Sequence, residues 1–179
     1  DERLRRDIGN NAHKRVMHQY SVAAMSKNIR NIIESGVNKL SDSGDIVPRP
    51  QRKNLLIVNV FYPPQSIGGA TRIVRDTVDV LTRDYGDSYN ISVFTTDHDN
   101  QEPYQLTEYA YQGVPITKVS TPMMEGMDWQ FRDSKMYEIF KSYLESTQPD
   151  LIHFHCVQRI TAAALEAAFD LEIPYLVTA

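Results

Sequence analysis

Short apolar runs recur from residue 54 onward, and segments with helical spacing separate most of them. The first run is apolar on both faces, which is typical of a central strand in a parallel sheet covered by helices on either side. The chain therefore predicts an α/β fold, a Rossmann-like parallel sheet flanked by helices. The predicted strands are Leu55–Val60, Ile91–Thr96, Val114–Val119, Leu151–His155 and Pro174–Thr178.

Three segments carry the predicted helices of this region. One follows a glycine pair and runs to about residue 83, a second spans Met136 to Leu144, and a third, rich in alanine, spans Thr161 to Asp170. Apolar residues recur in them at spacings of three and four, as on the buried side of a helix. An irregular apolar loop, residues 120–130, precedes the second helix. Its large side chains fit a substrate cleft, a domain interface or simply the core. They are Met123, Met124, Met127 and Trp129.

The first 53 residues have a different character. Residues 1–40 show two amphipathic helical stretches, and a segment of this size cannot bury enough surface to fold alone. Residues 41–53 are polar, contain two prolines and one glycine, and lack periodicity, which is typical of a linker. We expect a helical segment over 1–40, a linker over 41–53 and a truncated Rossmann-like domain over 54–179. A helical hairpin packed on its own domain is the alternative for 1–40.

A glycine pair, Gly68-Gly69, lies between the first predicted strand and its helix. The first N–H groups of a helix lack intrahelical partners and lie at the positive end of the macrodipole, so they can bind an anion. Two glycines would let that anion approach the main chain. The pair could equally serve only a turn with positive φ and close helix packing.

Two histidines lie two residues apart in the fourth predicted strand, so both should point to one face. His155 lies nearer the carboxyl end, where ligands of open α/β sheets collect, and it is our functional candidate. His153 is expected to be a hydrogen-bonded core residue. No third ligand has recognisable spacing, so we predict no metal site. Asp97 and His98 follow the second strand, either near the site or in a solvated loop.

The composition excludes some classes of binding partner and indicates a compartment. The 19 basic and 23 acidic residues give a net charge of −4 and no basic footprint for nucleic acid. No apolar run has the length of a transmembrane segment. Cys156, expected to be a small buried apolar residue, is the only cysteine, which favours a reducing compartment. We therefore expect a cytoplasmic protein, with peripheral membrane association as an alternative.

Several segments match a known family in order. They are Phe61-Tyr62-Pro63-Pro64 through Gly68-Gly69-Ala70-Thr71-Arg72, Gly113-Val114-Pro115-Ile116, Pro149 through His155, and Ile173 through Ala179. Taken together, they make residues 54–179 resemble the N-terminal, acceptor-side domain of a family 4 type GT-B glycosyltransferase.

A different part of the same family is matched nearer the start of the chain. The matching segments there are Arg6 through Ala12, Arg15-Val16, and Tyr20-Ser21 leading to Met25. Through them, residues 1–40 resemble the helices that close the C-terminal domain of another such enzyme, which suggests a piece of a tandem protein.

The resemblance implies an enzyme of carbohydrate biosynthesis that transfers a hexosyl group from a nucleotide-sugar to a glycan, lipid-linked or small-molecule acceptor. Such enzymes generally retain anomeric configuration and use neither a metal nor a cofactor. Gly68 and Gly69, assisted by Thr71 and Arg72, would face the donor phosphates, and His155 would face the acceptor. The family's nucleotide-sugar domain, with two glutamates eight positions apart, is missing here, so we expect the fragment alone to be inactive.

Other classes remain open. A dinucleotide-binding oxidoreductase requires Gly-x-Gly-x-x-Gly after the first strand, which Gly68-Gly69 does not supply, although Asp97 after the second strand fits that class. A P-loop nucleotidase requires Gly-Lys-Ser/Thr, which is missing. A noncatalytic binding or scaffold module would fit the missing catalytic apparatus.

Overall fold

The computed structural model describes residues 6, 10, 11, 14, 27, 29–31, 52–65, 68–97 and 102–178. The chain divides into two compact units, Asp1–Asp45 and Ile46–Ala179. In the first unit the described residues are helical, and Ile29 is buried whereas Arg30 and Asn31 are exposed. Of the predicted linker, only Arg52 and Lys53 lie within the described residues. The assignment of 1–40 to an upstream transferase stays a prediction.

The second unit confirms the predicted α/β class. Its described strands form one six-stranded sheet with the order β3-β4-β2-β1-β5-β6. The strands are β1 (Lys53–Asn59), β2 (Tyr89–Asp97), β3 (Leu106–Tyr111), β4 (Val114–Ser120), β5 (Leu151–Cys156) and β6 (Tyr175–Val177). The helices are α1 (Gly68–Tyr85), α2 (Ser134–Thr147) and α3 (Ala163–Asp170), with a short 3₁₀ helix at Met127–Trp129.

The two faces of the sheet are covered differently. Helices α2 and α3 bury one face around an aromatic cluster, in which Phe94 lies 4.8 Å from Phe140 and 4.9 Å from Tyr143 between ring centroids. Helix α1 packs against β1 and β2. Because side chains alternate along a strand, the other buried positions, such as Ile57 and Val93, belong to the α1 face.

The order of the strands reverses at β1. The chain passes from β1 to β2 and β4 on one side, and then returns to β5 and β6 on the other. All neighbouring pairs among these five strands are parallel. Ligands in open α/β sheets bind outside the carboxyl ends of the strands where such a reversal occurs. The relevant edge is therefore the one formed by the ends of β1 and β5.

One strand was not predicted. Strand β3 pairs antiparallel with β4 and forms an edge of the sheet. A two-residue turn joins them, in which Gln112 and Gly113 have φ of 50° and 84°. Positive φ at both central residues is the conformation that tight hairpins prefer. The sheet is thus parallel except at this edge.

None of the described helices combines the length and the apolar character needed to cross a bilayer.

Candidate functional site

A row of polar side chains marks the carboxyl edge of the sheet on the α1 face. Alternation along the strands places Asn59, Asp97 and Ser120 there, since each lies an even number of residues from a buried apolar position of that face. His155 and Thr178 belong to the same face because both contact His153. Helix α1 begins at the same edge because a single loop joins it to the carboxyl end of β1. The residues of this polar row are Asn59, Asp97, Ser120, His155 and Thr178.

His155 occupies an irregular position in β5. Val58 pairs with Phe154 and Asn59 pairs with Cys156, so His155 is the extra residue of a bulge. Bulges re-aim side chains and are common beside active sites. The sequence analysis could not foresee the bulge, because it depends on the register between β1 and β5.

His153 and His155 lie on one face, as predicted, with ring centroids 3.9 Å apart. His153 is 1% exposed, and its Nε2 lies 2.7 Å from Thr178 Oγ1, which agrees with the predicted core role. Burial lowers the pKa of His155 to about 4, and burial together with the neighbouring His155 lowers the pKa of His153 to about 3. Both rings are therefore neutral at pH 7, and each offers one donor and one acceptor.

Two buried polar atoms without partners belong to the neighbouring strands β1 and β5, where the strand order reverses. Asn59 is fully buried, and its Nδ2 donates to Phe61 O at 2.7 Å. Its Oδ1 and the Nε2 of His155 are buried and have no hydrogen-bond partner among the described residues. Buried polar atoms are nearly always paired in folded proteins, so these two are candidates for contact with a ligand. The sequence analysis missed Asn59, although it is the only polar residue in its apolar run.

The glycine pair starts α1, as predicted. Gly68 has φ of 79°, a conformation that strains other residues, so the backbone explains this glycine. A Cβ added to Gly69 would meet nothing within 4 Å, so packing does not explain the second one. The first turn of α1 contains no acidic residue that would oppose an anion.

The two predicted helpers differ in exposure. Thr71 is 4% exposed and lies on the buried side of α1, whereas Arg72 is exposed. Of these two side chains, only that of Arg72 is therefore available to a ligand at the surface.

The loop between β1 and α1 is tied to the β3–β4 side of the sheet. Tyr62 is fully buried with its ring edge-on to Tyr111, and the Tyr109 hydroxyl donates to Pro63 O at 2.7 Å. Gln65 Nε2 donates to Asp97 Oδ1 at 3.0 Å. Asp97, which is 5% exposed, also forms an ion pair with Lys118. Asp97 and His98 were predicted to lie either near the site or in a solvated loop. Asp97 is instead a buried anchor for the loop between β1 and α1, and His98 lies outside the described residues.

The apolar loop before α2 is mostly exposed. Met127 is buried, so the core interpretation is right for this residue. It is wrong for Met123, Met124 and Trp129, of which Trp129 is 87% exposed. Phe131, just beyond them, is 80% exposed.

Cys156, expected to be buried, is half-buried as the last residue of β5. Its neighbours do not form a metal site: within the described part of the chain, no three His, Cys, Asp or Glu side chains are grouped to hold a metal ion.

The comparisons with known proteins show likeness at the level of fold only. No family model matches the chain, and no curated protein matches it. Among solved structures, the C-terminal domain of the PF1911 hydrogenase from Pyrococcus furiosus is 11% identical, with a TM-score of 0.44 over 75% of this chain and 100% of that one.

A trehalose-6-phosphate protein from E. coli bound with UDP-2-fluoro glucose, a GT-B glycosyltransferase, is 12% identical, with a TM-score of 0.41. The match covers 67% of this chain, but it spans only 30% of the length of that one. The two neighbours differ in function, and neither likeness decides between functions.

Proposed function

We propose that this chain forms the acceptor-side part of a glycosyltransferase that transfers a sugar from a nucleotide-sugar. One observation carries the proposal: the exposed, glycine-bearing start of α1 and the unpaired atoms of Asn59 and His155 belong to the same edge of the sheet. A transferase needs an anion site for the donor diphosphate and neutral hydrogen-bonding groups for sugar hydroxyls. This edge offers both kinds of group.

The donor phosphates would bind at the first turn of α1. Its N–H groups lack intrahelical partners, and the macrodipole favours negative charge there. Gly69 keeps the main chain open to such a ligand, since no side chain covers it. Arg72 is exposed near the same end and could add a positive charge.

A sugar hydroxyl would bind at His155. A neutral imidazole with its Nε2 unpaired can accept from, or donate to, a hydroxyl group, and Asn59 Oδ1 can accept a second hydrogen bond. The low pKa of about 4 makes His155 a weak base, so we assign it to positioning the acceptor. The N–H groups at the start of α1 would stabilise the charge on the leaving diphosphate without a metal, in a reaction that we propose retains anomeric configuration.

The rest of the proposed enzyme lies elsewhere. By the sequence resemblance, a second domain would hold the nucleotide and most of the sugar, and the chain alone would not turn over. Residues 1–40 would then be the tail of an upstream transferase domain. We place the protein in the cytoplasm, with the acceptor class left open among glycans, lipid-linked sugars and small molecules.

One alternative fits the structure less well, and a second is separated only by experiment. A dinucleotide-binding protein would use an acidic residue after the second strand for the ribose, but the Asp97 carboxylate already binds Gln65 and Lys118. A noncatalytic module would keep the same edge and bind the sugar nucleotide without transferring it. Turnover separates that module from an enzyme.

A donor screen tests the proposal. The full protein that carries this chain is incubated with UDP-, GDP- and ADP-sugars, and release or transfer of the sugar is measured. We expect one donor to react and His155→Ala to lower the rate at least tenfold, because His155 orients the acceptor. Glu145→Ala, which changes an exposed residue in the last turn of α2 near the amino end of β5, serves as the control. Binding without sugar release would favour the noncatalytic module, and no binding by a folded protein would contradict the proposal.

A further inference from the structure

A second site lies away from the reversal of the strand order. The loop between β1 and α1 and the β3–β4 hairpin enclose an open cavity of about 450 Å³. The proposed function leaves this cavity unassigned. Its described lining residues are Pro64, Gln65, Thr107, Glu108, Tyr109 and Lys118.

The amide of Gln65 has a fixed orientation. Its Nε2 donates to Asp97 Oδ1, and the reverse orientation would place its oxygen against the carboxylate. Its Oε1 is therefore left as an acceptor, and this atom is buried with no hydrogen-bond partner in the described part of the chain. A ligand in the cavity would have to offer an O–H or N–H group to this oxygen.

Lys118 supplies the complementary group. Its ammonium pairs with Asp97 Oδ2, so Gln65 and Lys118 are held on the two oxygens of one carboxylate. An ammonium carries three N–H donors, and the Lys118 side chain is 27% exposed compared with 7% for Asp97. Donors other than the one bound by Asp97 can therefore reach a ligand, which would have to accept a hydrogen bond.

The charge balance restricts the ligand. Asp97 and Lys118 neutralise each other, so an anion would meet the Asp97 carboxylate and a cation would meet the ammonium. Glu108 also borders the cavity, but it alternates with Tyr109 along β3, and its side chain belongs to the opposite face, near Tyr143. Tyr109 adds an apolar ring, because its hydroxyl already donates to Pro63 O. A neutral ligand with hydroxyl groups can donate to Gln65 Oε1 and accept from Lys118 Nζ, and its ring can pack against Tyr109.

We infer that this cavity binds the ring of a neutral, hydroxyl-rich molecule, such as a sugar or cyclic polyol, through Gln65 Oε1 and Lys118 Nζ. The site itself does not depend on transferase activity. Its role as the holder of the non-reacting end of an acceptor does rest on the proposed function.

Titration by NMR tests the inference. The ¹⁵N-labelled full chain is titrated with neutral monosaccharides, disaccharides and cyclic polyols, and with inorganic phosphate as the anionic probe. We expect at least one neutral ligand to shift the Gln65 side-chain amide and the β3–β4 amides saturably, and phosphate to leave them unchanged. Gln65→Met should weaken that binding at least tenfold, whereas the matched change Gln158→Met at an exposed site should not.

Lys118 needs a paired variant. Lys118→Met alone leaves the Asp97 carboxylate buried without its cation, so Asp97→Asn/Lys118→Met is measured beside it, with thermal melting as a check on folding. Both should weaken binding tenfold or more, and Lys135→Met should not. No saturable shift with any neutral ligand, or the same shifts with phosphate, would overturn the inference. Nucleotide-sugar binding is scored separately with Gly69→Asp, so either proposal can fail alone.

Discussion

At the scale of single residues, the fold buries some polar atoms without partners, and the proposed function depends on two of them. These atoms are Asn59 Oδ1 and His155 Nε2. Burying each of them without a hydrogen bond costs free energy of folding, which other contacts must offset. From the sequence, His155 was predicted to be a functional residue because it lies at the carboxyl end of a strand. It could not predict that Asn59 would be unpaired, since that depends on how β1 and β5 align.

The two buried histidines should make the protein sensitive to acid. Their pKa values are about 3 and 4 in the fold, below the ordinary value of about 6.5 in the unfolded chain. Well above pH 6.5 both histidines are neutral in the folded and in the unfolded chain, so their titration does not change the free energy of unfolding. Below it the unfolded chain binds protons that the fold does not, so the free energy of unfolding should fall by up to about 1.4 kcal/mol per pH unit for each histidine.

Urea unfolding between pH 7.5 and 4.5 measures this fall. His155→Gln removes one of the two groups, so the part of the fall that is due to this histidine pair should shrink by roughly half. An unchanged pH dependence in His155→Gln would show that His155 is already able to take up a proton in the fold.

At the scale of elements, the loop between β1 and α1 connects the two proposed sites. It carries Gln65 to the cavity and ends at the glycines of α1. Tyr62 and Tyr109 both anchor it to β3: the Tyr62 ring packs on Tyr111, and the Tyr109 hydroxyl donates to Pro63 O.

Their hydroxyl groups should respond oppositely to removal. The Tyr62 hydroxyl is buried with no partner among the described residues, so Tyr62→Phe should leave the free energy of unfolding unchanged or raise it by up to about 1–3 kcal/mol. Tyr109→Phe loses the bond to Pro63 O and should lower it by about 0.5–1.5 kcal/mol. Urea midpoints of the two variants give the comparison. Equal losses would mean that the Tyr62 hydroxyl has a partner.

Strand β3 shows where prediction from this sequence stops. Strands β1, β2, β4 and β5 were foreseen because they are buried and apolar. Leu106–Tyr111 is mainly exposed, and its sequence, Leu-Thr-Glu-Tyr-Ala-Tyr, contains no buried apolar run. It becomes a strand by pairing with β4, and the Gln112-Gly113 turn was the local signal for that hairpin. The Gln65 cavity could not be predicted, since it requires this hairpin.

At the scale of the whole molecule, the proposed anion site and the proposed sites for hydroxyl groups lie along one edge of a sheet. The predicted α/β fold is confirmed, but many unrelated functions share such a fold. The distribution of charge is therefore the more specific evidence. Negative charge is favoured at the start of α1, whereas the atoms at His155 and in the Gln65 cavity suit neutral hydroxyl groups.

The central claim is that the diphosphate of a nucleotide-sugar binds at the start of α1, and calorimetric titration of the full protein tests it most directly. UDP-, GDP- and ADP-sugars are titrated into the parent protein, Gly69→Ala and Gly69→Asp. A methyl group at Gly69 meets nothing, so Gly69→Ala should bind within about threefold of the parent. The carboxylate of Gly69→Asp should weaken binding at least about tenfold by repelling the phosphates. Equal affinity in all three proteins, each shown to be folded, would contradict the claim.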